Sequence, residues 1–123
     1  MNLNERMLLS GLRLTQPRQK ILGVLSHQSH PISFEEYSFI DPLLDKSTFY
    51  RNMQTFENAL IVQGIESDEG KRYFELTQEL HPHFICQNCH TITCLNPITP
   101  PAVEGYHINS ITYKGYCPQC SES

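Results

Sequence analysis

The sequence predicts an α+β chain built in two parts, and three observations carry that prediction. All five cysteines lie between Cys86 and Cys120. Eight of the nine Lys and Arg residues lie before residue 73. Apolar residues recur at helical spacing in the first part, whereas short runs rich in Thr, Ile and Tyr fill the second. The shift places a boundary near residues 77 to 82, "TQELHP".

The elements of the first part follow in order. A short helix over residues 3–10 stops at Gly11, a residue type that favours the helix C-terminus. Thr15 caps a second helix, and Pro17 is tolerated in its first turn because the missing N–H would have no partner there. Ile21, Leu22 and Leu25 share one face of this helix, and His30-Pro31 is expected to end it. Ser33 and Glu36 have the spacing of a capping box for a third helix, which Asp41-Pro42 terminates. A fourth helix is expected to begin near Ser47. Phe49, Met53, Phe56 and Leu60 form its apolar stripe, with Ser47, Tyr50, Arg51, Gln54 and Asn58 mostly on other faces. "GIESDEGKRYFEL" then reads as two short strands around a turn. This is the order of a winged helix-turn-helix, which lays one helix in the major groove and a hairpin beside the backbone.

The second part has strand-like runs at "FICQNC", "TITCL" and "INSITYKGYC". It is too short to build an adequate apolar core, so a metal is expected to supply what packing does not. Cys86 and Cys89 form one CxxC, and Cys117 and Cys120 form another. Two such turns complete the tetrahedron of a structural zinc ion. A four-thiolate iron centre is the competing reading of the same spacing. His81 and His83 project to one side of a strand, and Glu75 and His30 are candidate partners for a second metal site.

Composition narrows the partners. With 39% hydrophobic and 18% charged residues the chain reads as soluble and globular, and no apolar run approaches the roughly 20 residues of a membrane helix. The N-terminal residues lack the pattern of a secretory signal. A cytoplasmic location is therefore expected, where clustered cysteines favour metal over disulfides. The formal net charge is −4, yet Arg6, Arg13, Arg18 and Lys20 precede Phe34 with no acid from Arg6 onward. A local basic face of this kind can meet phosphate on an acidic protein.

Taken together, "GLRLTQPRQKIL", "STFYRNMQTFENA", "RYFELTQ", "HPHFICQNC" and "CPQC" make the chain resemble the ferric uptake regulator superfamily of bacterial metal- and peroxide-responsive repressors. The resemblance implies a winged-helix DNA-binding domain over residues 1–77, a hinge at 78–81 and a zinc-binding α/β dimerisation domain over 82–123. It implies a homodimer that binds an AT-rich palindromic operator when its regulatory metal is bound. The fourth helix would enter the major groove with Ser47, Thr48, Tyr50 and Arg51. Arg13 would reach the minor groove and Arg18 would hold the phosphate backbone. Cys86, Cys89, Cys117 and Cys120 match the structural Zn2+ ligands. His30, Glu75, His81 and His83 match the regulatory ligands, for Fe2+, Mn2+ or Zn2+. Glu75 favours iron sensing by analogy, with peroxide and zinc sensing as alternatives; His30 and His81 would be the oxidised ligands of a peroxide sensor.

Four departures stand out. Cys94 occupies a position that is usually acidic, either as a further thiolate ligand or as an apolar core residue. His90 replaces a glycine after the first CxxC and is expected to be exposed. The segment "NPITPPAVEGYHIN" is short and leaves little room for the helix that normally packs on the dimer sheet. Asn109 and Pro101 stand where some members have further ligands, so a third site is not expected, and His107 reads as exposed or structural. Two other classes compete with a repressor: a small four-cysteine iron electron-transfer protein, and a zinc hydrolase built on His81, His83 and Glu75. No additional general base is evident for the second, and the chain is not expected to be an enzyme.

Overall fold

The computed structural model describes residues 3–67, 69–78, 80–97, 103–108 and 110–121. The chain forms two compact units, Met1–Thr77 and Gln78–Ser123. The first contains α1 (Leu3–Ser10), α2 (Gln16–Ser26), β1 (Ile32–Ser33), α3 (Phe34–Ile40), α4 (Lys46–Asn58), β2 (Val62–Glu66) and β3 (Arg72–Leu76). The second contains β4 (Pro82–Cys86), β5 (Ile92–Cys94), β6 (Ile111–Gly115) and α5 (Pro118–Ser121).

In the first unit α1 stops where Gly11 takes φ +67°, a left-handed backbone that glycine adopts at little cost. Thr15 caps α2 by accepting the Arg18 N–H at 3.4 Å. The helix ends at Ser26, earlier than His30-Pro31 requires. Ser26 Oγ donates to the Gly23 carbonyl at 2.7 Å and His27 Nδ1 lies 2.8 Å from the same oxygen. These side chains satisfy the last turn locally and stop the helix before the proline can.

The Ser33–Glu36 capping box is present. Ser33 N–H donates to Glu36 Oε1 at 3.2 Å and Glu36 N–H to Ser33 Oγ at 3.3 Å. Helix α4 starts at Lys46, and its cap is Asp45, not a residue at Ser47. Asp45 accepts the Thr48 N–H at 3.0 Å and the Thr48 hydroxyl at 2.6 Å, which fixes the first turn. The apolar stripe runs through Phe49, Met53 and Phe56 and does not include Leu60. Leu60 lies past the helix at φ +60°, 68% exposed. Its left-handed turn lets the Ile61 N–H reach the Phe56 carbonyl at 2.9 Å, so Ile61 enters the core instead.

The core of this unit joins Ile21, Leu22 and Leu25 of α2 to Tyr37, the α4 stripe and Phe74. A three-stranded antiparallel sheet, ordered β1-β3-β2, closes it. The β2–β3 hairpin runs in register from Val62 opposite Leu76 to Glu66 opposite Arg72. Gly70, at φ +78°, makes its turn. Arg72 ties this wing to α4 through paired bonds to Glu57 at 3.0 and 3.2 Å. An added Cβ at Gly64 would collide with the Arg72 guanidinium, so glycine there allows the close approach.

The second unit is a three-stranded sheet ordered β5-β4-β6, antiparallel on one side of β4 and parallel on the other. Its strands are shorter than the runs that predict them. The one expected over "FICQNC" spans Pro82–Cys86, because residues 87–89 leave the ladder to form a turn. Among the described residues no helix lies between β5 and β6. Pro82, Ile85, Cys86 and Ile92 are its buried apolar side chains among the described residues.

Candidate metal centres

The parallel pairing of β4 with β6 sets Cys86 opposite Gly115, two residues before Cys117. Gln87 N–H donates to the Gly115 carbonyl at 2.7 Å and locks the two CxxC turns side by side. Cys89 closes the first turn and α5 closes the second, with Cys120 N–H donating to the Cys117 carbonyl at 2.9 Å. The sulfurs of Cys86, Cys89, Cys117 and Cys120 all lie within 4.8 Å of one another. Cys89 Sγ and Cys117 Sγ are 3.8 Å apart. A tetrahedral zinc ion with bonds of about 2.3 Å has sulfur–sulfur edges of about 3.8 Å, so the four residues fit that ion.

The backbone favours thiolates here. The N–H groups of Cys117 and Cys89 each point at Cys86 Sγ at 3.4 Å and bring its pKa down to about 5. Thr91 lowers that of Cys89, its hydroxyl lying 3.1 Å from the sulfur. Asn88 donates to Cys120 Sγ at 3.3 Å and pulls its pKa down, but the adjoining thiols and burial outweigh it and leave the group at about 11. Four adjacent sulfurs do not all ionise without a cation, and the cluster needs one to become four thiolates.

A second cluster forms on the same sheet. His81 and His83 are buried, and their ring centroids are 4.5 Å apart. Cys94 is the cross-strand partner of His83 and is half-buried. The donor atoms of these three residues lie within 4.8 Å of one another. Glu75 is buried in β3 of the first unit, opposite Gln63. His30, also in the first unit, is exposed, with Nε2 3.6 Å from Glu36 Oε2. His90 is half-buried rather than exposed and holds φ +64°, the left-handed conformation that explains why glycine suits the position. His107 is exposed, and Asn109 and Pro101 lie outside the described residues.

The residues expected to meet DNA divide into two groups. Arg13, Ser47 and Arg51 are exposed. Arg51 Nη2 donates to Thr48 Oγ1 at 3.2 Å, and so extends the Asp45 cap network across the outer face of α4. Tyr50 is half-buried, its ring packing on Phe34, Phe49 and Phe74 at centroid distances of 5.4 to 6.1 Å. Arg18 is directed within the fold: Nε donates to Asn52 Oδ1 at 3.0 Å and Nη1 to the Arg13 carbonyl at 2.9 Å. Asn52, which sequence reasoning passes over, also donates to the Thr48 carbonyl at 3.0 Å. A polar residue inside an apolar stripe is its one signal. Asp45, also passed over, is signalled in the sequence by its three-residue spacing to Thr48.

A family model described as "Ferric uptake regulator family" matches residues 9–106. The ferric uptake regulation protein of Yersinia pestis is 37% identical over 92 residues, which cover 70% of this chain and 62% of that protein. The chain thus spans less than two thirds of that relative. Among solved structures, the Vibrio cholerae ferric uptake regulator, described with rearranged DNA-binding domains, is similar at a TM-score of 0.70 and 28% identity. That match covers 94% of this chain and 100% of the other. The Helicobacter pylori ferric uptake regulator, described as having three functional metal-binding sites, shares the fold at a TM-score of 0.75 and 19% identity, over 100% of this chain and 96% of that one.

Proposed function

The chain belongs to the ferric uptake regulator family, and from that premise we propose that it is a metal-dependent, DNA-binding transcriptional repressor of metal-homeostasis or oxidative-stress genes. The observation that carries the reading is the combination within one chain of a winged-helix unit and a sheet bearing two metal-donor clusters. Four cysteines hold zinc and fasten the second unit. His30, Glu75, His81 and His83 are the candidate ligands that would hold the regulatory ion. When bound, such an ion would supply the positive charge that these side chains would coordinate, and DNA-binding-competent conformers would be favoured over a looser ensemble.

The protein acts as a homodimer on an AT-rich palindrome. Helix α4 offers Ser47, Thr48, Arg51 and the free edge of Tyr50 to the major groove, and Arg13 serves the minor groove. Arg18 is the proposed phosphate-backbone contact, and its bonds to Asn52 and the Arg13 carbonyl hold it in place. The family assignment sets aside the electron-transfer and hydrolase readings, neither of which gives the first unit a role. No helix among the described residues is long and apolar enough to cross a membrane, and the proposed place of action is the cytoplasm, beside DNA.

Iron is the first regulatory ion by the names of the relatives and by Glu75, with manganese and a peroxide response as variants of the same chemistry. A second reading, zinc, is favoured by the position of Cys94 beside His81 and His83. The test is anaerobic fluorescence anisotropy of the zinc-loaded protein on an AT-rich palindrome from its own promoter. Iron(II), manganese(II) and zinc(II) are titrated separately, then peroxide is added. Activation by one ion is expected. Absence of binding with every ion would refute the repressor reading.

A further inference from the structure

We propose that Cys94 is a metal ligand, and that with His81 and His83 it makes a two-imidazole, one-thiolate site that prefers zinc-class ions to iron(II) and manganese(II). The proposal rests on the regulator reading above and takes its zinc variant over its iron one for the regulatory site.

The sheet places the donors together. Antiparallel pairing of β4 with β5 sets His83 directly opposite Cys94, so the two side chains leave the same face. His81 stands two residues before His83, which returns it to that face in extended chain. Both imidazoles are buried, at 6% and 2% exposure, and Cys94 is half-buried. The three donor atoms already converge within 4.8 Å. A tetrahedral zinc with nitrogen and sulfur ligands has edges of about 3.3 to 3.8 Å, so modest side-chain rotation closes the set.

The core-cysteine alternative fits less well. On β5, Ile92 is buried, Thr93 is exposed and Cys94 returns to the Ile92 face. Yet Ile92 pairs with Ile85, an apolar neighbour, whereas Cys94 pairs with a buried imidazole. A cysteine placed only for packing has no need of two histidines around its sulfur.

Donor type then selects the ion. Thiolate is a soft ligand that suits zinc, whereas manganese favours carboxylate, carbonyl and water. Zinc also follows iron(II) and manganese(II) in the rising order of divalent affinities. Three ligands from one sheet leave a fourth position for a further donor, so the site remains responsive to what else approaches it.

The experiment uses the whole protein with its four-cysteine site filled by zinc, and cobalt(II) as probe under anaerobic conditions. Wild type is expected to show a near-ultraviolet thiolate-to-cobalt charge-transfer band. Zinc content should stay at one equivalent, which excludes the four-cysteine site as its source. Cys94→Ser should lose that band and lose zinc affinity by more than the roughly 10–100-fold typical when a ligand's supporting hydrogen bond is removed. Its manganese affinity should change less than tenfold. Cys94→Asp should shift preference toward manganese and iron.

Cobalt binding that His81→Ala abolishes, but that carries no charge-transfer band in wild type, would overturn the role of Cys94 and leave the regulator reading intact. That arm needs no Cys94 variant to fold. If wild type takes no second ion at all, both readings fail.

Discussion

Replacing Cys86 by serine should release the second unit from its fold while leaving the first intact. The buried aliphatic side chains of the second unit, among the described residues, are Pro82, Ile85 and Ile92. At about 1.5–3 kcal/mol for each buried side chain, they contribute roughly 5–9 kcal/mol. A structural zinc contributes about 10–16 kcal/mol near pH 7. The ion therefore outweighs the apolar core, and loss of ligation cannot be offset by packing. Cys86 is the most consequential of the four ligands. It is the buried one, and two backbone N–H groups, from Cys89 and Cys117, converge on its sulfur. The assay is a 1H–15N correlation spectrum with zinc content measured on the same sample. Amide signals from β4, β5 and β6 should collapse toward random-coil positions, while those of α2, α4 and the β2–β3 hairpin keep their dispersion. Chelation of wild-type zinc should give the same pattern. Retention of dispersed β4–β6 signals in zinc-free Cys86→Ser would show that packing alone holds this unit and would refute the comparison of magnitudes.

Other perturbations separate the remaining roles. His81→Ala should keep one equivalent of zinc and a folded second unit but lose metal-stimulated DNA binding, as read by elemental analysis and anisotropy; unfolding equal to that of Cys86→Ser would mean that the ligands are divided wrongly between the two sites. Arg51→Ala should weaken DNA binding and lower the slope of log K against log salt by about 0.9 if one phosphate contact is lost, with no change in the denaturation midpoint. Arg18→Ala should instead destabilise the first unit by about 1–2 kcal/mol in urea unfolding, because it removes bonds to Asn52 and to the Arg13 carbonyl. Tyr37→Phe should cost about 1–2 kcal/mol at pH 8 by removing the 2.9 Å bond to buried Asp41. Burial and that bond hold the Tyr37 pKa above its ordinary value of 10, so the wild type's advantage is fully present below pH 10 and declines as pH rises above it. Urea curves from pH 8 to 11 should therefore converge for the two proteins, and a gap that widens with pH would contradict this.

Local chemistry made much of the molecule legible. The Thr15 cap, the Ser33–Glu36 box and the turn at Gly11 involve residues within four positions of one another, and sequence records such bonds directly. The two CxxC pairs were equally plain, because their doubled spacing is itself a short-range property of the chain. Errors arose where several local signals competed. His27 and Ser26 ended α2 before Pro31 could, and Leu60 accepted a left-handed turn so that Ile61 could fill the core. The periodic stripe gives the direction of a side chain only while the helix lasts.

The sequence by itself determined the α+β class, the change of composition between the two parts, and the residue types available for metal and DNA. It could do so because caps, periodicity and CxxC spacing are short-range properties of the chain. Tertiary structure decided which of those residues meet. The register of β4 against β5 put Cys94 across from His83, and the parallel pairing of β4 with β6 brought the two cysteine turns together. Packing of α2 against α4 committed Arg18 to Asn52, 34 residues away, and left Arg51 in solvent. Strand register and helix packing are set by the free energy of the assembled core, to which distant residues contribute together, and no local pattern in the chain encodes that sum.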